Sequence, residues 1–284
     1  VRLGRYYIHF EDNPVVFFDD AVIDWNGIPY LLWNRELHAF PVQIAQYGLW
    51  LINRYIQGDG QVEADIMNIK NFVLSNYMTT DSGVIFWDMS VERSEYGLKS
   101  PWMSAMAQGE MISFLLRVYE MDNDERIIPV VKGGFGAFDI SVEHGGVLGH
   151  FPDGSECLEE YPTNPSSCVL NGMMFALLGY YDYCRFFDLE NEALDKLIEN
   201  LATNLCRYDT LFWSRYDLYG RTKTASIIYH WLHIELLTLF AELFPKHDVV
   251  FRKKALSWKR KQNNPFCRLM RVIGRVYERL FFGH

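Results

Sequence analysis

The period of the apolar positions divides this chain into three stretches. Up to residue 34 the apolar residues are β-branched or aromatic: Tyr6, Tyr7, Ile8 and Phe10, then Val15 to Phe18, punctuated by Asn13-Pro14. Asn26-Gly27 is a hairpin signal, so residues 1–34 are expected to form a short, β-rich lead-in. From there apolar positions recur at helical spacing over about 40–57, 61–78, 102–121, 124–138, 169–187, 190–206, 224–244 and 248–260. Loops bearing Gly or Ser, such as Thr80-Asp81-Ser82-Gly83 and His144-Gly145-Gly146, separate the runs, and Val84-Ile85-Phe86-Trp87 reads as a short strand. Successive helices joined by loops predict a mainly α domain over residues 35–262, an α/α toroid or incomplete α/α barrel with one end of its loops lining a cleft.

The third stretch, residues 263–284, keeps the helical period but changes its polar face. Phe266, Leu269, Met270, Ile273, Val276, Tyr277 and Leu280 form a stripe, and Arg268, Arg271, Arg275 and Arg279 occupy much of the remainder. This is a C-terminal basic amphipathic helix. Its stripe is expected to pack on the helical domain, with the arginines covering acidic surface. Peripheral contact with a membrane or a polyanion is the rival expectation.

Charge sharpens that contrast. The chain has 27 Lys and Arg against 36 Asp and Glu, a net −9. Ten of those bases and one acid, Glu278, lie beyond residue 251, which leaves 17 against 35, or −18, on the body. An acidic body argues against nucleic acid as a general partner. An acidic glycan would need local positive charge. At 284 residues, 49% hydrophobic and 22% charged, the chain can bury a sizeable core as a soluble globular protein. Aromatic residues are frequent at 16%; they suit either a core or the faces of a carbohydrate site. The five cysteines show no CxxC or Cys/His ligand spacing, so neither a disulfide framework nor a metal site is expected. No phosphate-binding, dinucleotide or Ser-His-Asp pattern stands out, and no cofactor is expected. Reduced thiols and the lack of a long apolar run point to a cytoplasmic or peripheral-membrane setting. The chain opens on Val1, so a preceding segment is also expected.

The densest chemistry lies in Glu159-Glu160-Tyr161-Pro162-Thr163-Asn164-Pro165-Ser166-Ser167-Cys168, which leads into the helical run from Val169. Prolines brace this turn and present two carboxylates and a phenol. Four further stretches carry polar groups beside apolar runs. They are Pro41-Val42-Gln43-Ile44-Ala45-Gln46-Tyr47-Gly48-Leu49, Pro101 to Glu110 around Ser104-Ala105-Met106-Ala107-Gln108-Gly109, Arg215-Tyr216-Asp217-Leu218, and Tyr229-His230-Trp231-Leu232-His233.

These five motifs, in order over roughly residues 5 to 260, resemble the heparan and heparosan glucuronyl C5-epimerases, through their C-terminal catalytic domain. The resemblance implies a helical catalytic domain. It also implies an isomerase of prokaryotic type that inverts carbon 5 of D-glucuronate to L-iduronate within a polysaccharide, with a homodimer as a further expectation. Removing a proton beside a carboxylate requires that the carboxylate be neutralised, with one proton taken from one face and another returned on the opposite face. The resemblance assigns this proton transfer to Tyr161, Tyr216 and Tyr229, with Glu160 beside Tyr161. For a phenol to act as base, its pKa of about 10 must fall. Trp102, Gln108, Gln46, Asn171, His230 and His233 are expected to bind substrate.

Where the family continues Tyr-Asp-Leu into Arg-His, this chain has Tyr219-Gly220. Arg221 is expected to supply the missing cation, ahead of Lys223 and Arg215. Two other readings stay open at this point: a uronate polysaccharide lyase, and a non-catalytic glycan-binding or polysaccharide-assembly protein on a degenerate epimerase scaffold.

Overall fold

A computed structural model describes residues 3–8, 21–220 and 223–282, without the side chains of Ala21 and 275–282. The expected extended positions Phe10 and Val15 to Phe18, the Asn13-Pro14 break and Arg221 lie outside the described residues. So do the side chains of Arg275, Val276, Tyr277, Arg279 and Leu280.

The lead-in forms an antiparallel meander of β1 (Ala21–Ile23), β2 (Pro29–Trp33) and β3 (Glu36–His38), with Val22 opposite Tyr30 and Leu32 opposite Leu37. Asp24 closes the first turn: its carboxylate accepts from the N–H groups of Asn26 and Ile28, both at 2.9 Å. Gly27 supplies the left-handed residue at φ +78°. The sheet runs four residues past the expected lead-in.

Eight helices follow in the expected order: α1 (Pro41–Ile56), α2 (Glu63–Ser75), α3 (Ala105–Asp122), α4 (Ile127–Phe135), α5 (Leu170–Phe186), α6 (Glu192–Asn204), α7 (Ile227–Leu243) and α8 (Asp248–Asn263). The mainly α class is therefore as expected. Local chemistry sets several starts. Pro41 sits in the first turn of α1, where its missing N–H costs nothing. The Asn191 side chain caps α6, and the Ser226 hydroxyl accepts from the Tyr229 N–H to cap α7. The second run stops at Ser75, short of the expected 78, because β4 (Met78–Thr79) pairs with β5 (Ile85–Phe86). A third hairpin, β6 (Leu148–His150) with β7 (Glu156–Leu158), delivers the chain to Glu159.

The odd-numbered helices pack as a row, α1 on α3, α3 on α5 and α5 on α7, and each is backed by the helix that follows it. All four begin at one end of the molecule, where Val42, Met106, Asn171 and Tyr229 line the same cavity. The α3–α5 contact is the closest. A Cβ on Gly179 would stand 2.2 Å from the Gly109 Cα, and one on Gly109 would stand 2.7 Å from the Ala176 Cα. Glycine at both positions lets the two backbones touch.

Further along the same pair, Arg117 and Asp182 form a buried ion pair at 2.6 Å. Asp182 also accepts from the Ser113 hydroxyl at 2.7 Å and the Tyr7 hydroxyl at 2.6 Å, while Arg117 donates to the carbonyls of Ser113 and Gly4. This network ties the N-terminal segment to the helical row.

The last helix, α9 (Pro265–Phe282), corrects an expectation. It meets α8, and Gly274 approaches the Phe212 ring. Of the described stripe residues, Phe266 is 66% exposed, Leu269 56% and Ile273 50%, and Val272 beside them is 50% exposed. Among the described residues no single helix is long and apolar enough to cross a membrane.

Candidate active site

The turn after β7 is built around Glu159. One of its carboxylate oxygens accepts from the Ser167 N–H at 2.6 Å and the Ser167 hydroxyl at 2.7 Å; the other accepts from the Cys168 N–H at 2.9 Å. Cys168 is held at φ +47°, an uncommon conformation for a side chain that is not glycine, and the Tyr208 hydroxyl binds its carbonyl at 2.7 Å. Cys157 and Cys168 lie with their sulfurs 3.7 Å apart beside Glu159, close enough for the three to ligate one ion. Both oxygens of Glu159 are already occupied by the turn, so the trio acts as a clasp on residues 159–168.

The clasp frees the next residue. Glu160 lies against the start of α5, where a Cβ on Gly172 would fall 2.1 Å from its Oε2. Glycine there is what allows the carboxylate to lie on the helix start. Glu160 is buried and its Oε2 has no partner. Desolvation raises its pKa to about 7, a shift opposed by Arg93.

Tyr161 stacks on Tyr96 with ring centroids 4.2 Å apart and leans on Trp102 at 5.7 Å. Tyr96 is itself fixed by its hydroxyl, which donates to Asp217 at 2.7 Å. Tyr216 and Tyr229 meet at 4.8 Å, tilted at 58°. The Tyr216 N–H donates to the Lys223 carbonyl at 2.7 Å, and the Tyr216 carbonyl accepts from the Leu170 N–H at 3.1 Å, which seats this strand-like segment against α5.

Two adjoining cavities occupy this end of the molecule. The inner one, about 90 Å³, is bounded by Phe40, Gln46, Met89, Glu160, Asn171 and Leu232 among others. The outer one, about 270 Å³, is bounded by Glu95, Tyr96, Tyr216, Lys223, Thr224 and Ser226. Arg93, Tyr161 and Tyr229 line both.

Of the residues expected from the sequence, Glu160, Tyr161, Tyr216, Tyr229, Gln46, Asn171 and Lys223 therefore line this cleft. Gln46 is held by a 2.8 Å bond from its amide to Glu110, and the Asn171 Oδ1 has no partner. The others sit elsewhere. Trp102 lies behind Tyr161 and donates to the Val91 carbonyl at 2.8 Å. Gln108 donates to the carbonyls of Ile85 and Gly134, tying α3 to α4 and β5. His230 and His233 line neither cavity and turn toward Trp213 and Ser214. His230 stacks on Trp213 at 3.9 Å, and both rings bond the Ser214 hydroxyl through Nδ1. Burial lowers their pKa values to about 4 and about 3, which keeps them neutral. Arg215 lines neither cavity, and its Nε donates to the Asp209 carbonyl at 3.5 Å.

Burial also reverses the expected direction for the phenols. It raises Tyr161 and Tyr216 well above the usual tyrosine value and Tyr229 to about 12, with the Glu160 charge adding to each shift. All three are therefore acids at neutral pH, and the group nearest neutrality is Glu160.

The pattern of motifs did not single out Arg93. It stands on a tight turn in which Tyr96 and Leu98 donate to its carbonyl at 3.0 and 3.1 Å. Its guanidinium lies 4.6 Å from the Trp33 ring centroid and 5.9 Å from that of Tyr161. The available signal was an arginine three residues before Tyr96-Gly97, outside any periodic run.

Residues 80–260 match the family described as D-glucuronyl C5-epimerase C-terminus. A D-glucuronyl C5-epimerase of Caenorhabditis elegans is 35% identical over 195 residues, which are 61% of this chain and 31% of that protein. An uncharacterised protein of Methanocaldococcus jannaschii is 26% identical over 184 residues, 62% of this chain and 57% of its own length. The chain thus spans less than two thirds of either relative. It belongs to the D-glucuronyl C5-epimerase C-terminal domain family.

Proposed function

We propose that this chain inverts carbon 5 of glucuronate residues in a uronic-acid polysaccharide by proton removal and return. The observation that carries the reading is the convergence of Glu160, Tyr161, Tyr216 and Tyr229 on one cleft that also holds Arg93 and Lys223. A cleft with two cations answers the charge problem raised by a body at −18. Its acid–base groups suit a reaction whose only covalent events are at a carbon–hydrogen bond.

In this mechanism the C5–H bond breaks and the proton passes to a tyrosinate, whose own proton has gone to Glu160. The electron pair moves into the substrate carboxylate. A second tyrosine donates its phenolic proton to the opposite face of carbon 5, forming the new C–H bond. Glu160, with a pKa of about 7, can take and return a proton at neutral pH, so it resets the two phenols. Raised phenol pKa values favour the donor role and make a transient tyrosinate a strong base.

The test is incubation with a heparosan-type polymer in deuterated water, followed by NMR at carbon 5. Deuterium there, with iduronate accumulating, supports the reading. An unsaturated product absorbing in the ultraviolet would replace it with a lyase. Binding with no exchange would replace it with a non-catalytic glycan-binding protein.

A further inference from the structure

We propose that Arg93 receives the carboxylate of the reacting uronate and seats that residue at the junction of the two cavities, with carbon 5 between Tyr161 and Tyr229. The proposal rests on the epimerase reading for its reaction, and on separate geometry for its residue. Arg93, Tyr161 and Tyr229 are the three residues that border both cavities, so a sugar placed at their junction meets all of them. Tyr216 and Lys223 border the outer cavity, which gives them supporting places along the polymer.

Arg93 is prepared for an anion. Among the described residues it forms no ion pair, and its buried Nε has no partner. Yet it is not loose: the Trp33 face holds the guanidinium at 4.6 Å, and Phe40 and Tyr161 flank it at 5.9 Å each. A planar fork fixed against aromatic rings, with donors unused, fits a carboxylate better than a flexible ammonium does. The acidic groups that face this space are Glu160 and, at the outer rim, Glu95. The Oε2 of Glu160 is likewise buried without a partner, and Glu160 lines the same inner cavity as Arg93.

The chemical consequence follows from charge. As the C5–H bond breaks, its electron pair enters the uronate carboxylate, which then carries more negative charge than before. A guanidinium already in contact with those oxygens stabilises that change more than it stabilises the ground state. The same contact selects uronates over neutral hexoses.

The test compares a glucuronate oligosaccharide with its carboxyl-reduced counterpart, measuring affinity by calorimetry and exchange at carbon 5 by NMR in deuterated water. R93Q should weaken binding of the uronate by about tenfold or more, in line with a lost charged hydrogen bond, and leave binding of the reduced sugar unchanged. Exchange should fall on the order of 100-fold. R93K should recover part of both, and it carries the test should R93Q fail to fold. A preference for the uronate as large in R93Q and R93K as in wild type would overturn the role of Arg93, even with normal exchange in the wild type. Wild-type protein that prefers the uronate but does not exchange it would overturn the epimerase reading, and the preference would still report on Arg93.

Discussion

Two arginines, one fully buried and one partly exposed, show how differently the same chemistry is used in this molecule. Arg117, between α3 and α5, meets Asp182 at 2.6 Å within a network that includes Ser113, Tyr7 and the Gly4 carbonyl. Arg93, in the cleft where those helices begin, rests on Trp33 with its Nε unused. In the same inner cavity the Glu160 Oε2 and the Asn171 Oδ1 also lack partners. A buried polar group without a partner costs about 1–3 kcal/mol. The Arg117–Asp182 pair avoids that cost, although the neighbouring Tyr6 hydroxyl does not, and the cleft accepts it. Arg93, Glu160 and Asn171 line one cavity, so their open polar atoms mark a place where something polar can bind.

The largest effect should come from breaking the paired region. Asp182→Ala leaves the Arg117 charge buried and unpaired, and should cost about 3–5 kcal/mol in urea unfolding. Arg93→Gln should cost about 1 kcal/mol or less, the scale of a cation–π contact. Equal losses from the two variants would erase the distinction between lock and site.

The next effect sharpens the cleft half of the comparison. The folded-state pKa of Glu160 is raised from 4.5 to about 7 by desolvation. Between those values the folded protein holds a proton that the unfolded chain has lost, so wild-type stability falls as pH rises through this window. Glu160→Gln removes the titration. Its stability relative to wild type should rise by on the order of 3 kcal/mol between pH values near 4.5 and 8. A constant difference across that range would mean that Glu160 titrates normally. Exchange at carbon 5 should in turn rise through pH of about 7 in the wild type, as the carboxylate forms.

The two regions were not equally legible in the sequence. Helical periodicity gave the order of the eight helices, and Asn26-Gly27 gave the first hairpin, because both are local signals. The Glu160-Tyr161 turn was visible from its prolines and the apolar run behind it. Arg93 was hidden because its significance depends on Trp33 and Tyr161, sixty and sixty-eight residues away in sequence. The histidines were misplaced by adjacency to Tyr229. On α7, Tyr229 and Leu232, three apart, share the cleft face, while His230 and His233, also three apart, share the face toward Trp213 and Ser214. The Arg117–Asp182 lock could not be read at all, since charged residues on apolar helices ordinarily suggest a solvated face.

Replacing phenols tests whether the cleft acts by proton transfer rather than by shape. Tyr161→Phe and Tyr229→Phe should each reduce exchange at carbon 5 on the order of 100-fold, with melting temperatures close to wild type. Tyr216→Phe should reduce it less, because that side chain borders the outer cavity alone. A stronger effect at Tyr216 than at Tyr229 would move the reacting carbon outward and would break the assignment of the junction.

The smallest effect on stability should come from α9, which belongs to neither buried region. Its described apolar residues Phe266, Leu269, Val272 and Ile273 are half exposed or more, so removing them forfeits little buried apolar area. Deleting residues 265–284 should therefore change unfolding free energy by about 1 kcal/mol or less. Binding to vesicles carrying an anionic lipid should respond more clearly, because the deletion removes Arg268, Arg271, Arg275 and Arg279 against the single acid Glu278. Each cation near such a surface contributes about 1 kcal/mol, and the attraction is screened over roughly 8 Å at physiological ionic strength. Full-length protein should thus bind the vesicles at low salt and release at high salt, while the truncated protein should bind weakly at both. A large fall in stability on truncation, with unchanged vesicle binding, would instead make α9 a structural element whose apolar stripe is covered in solution.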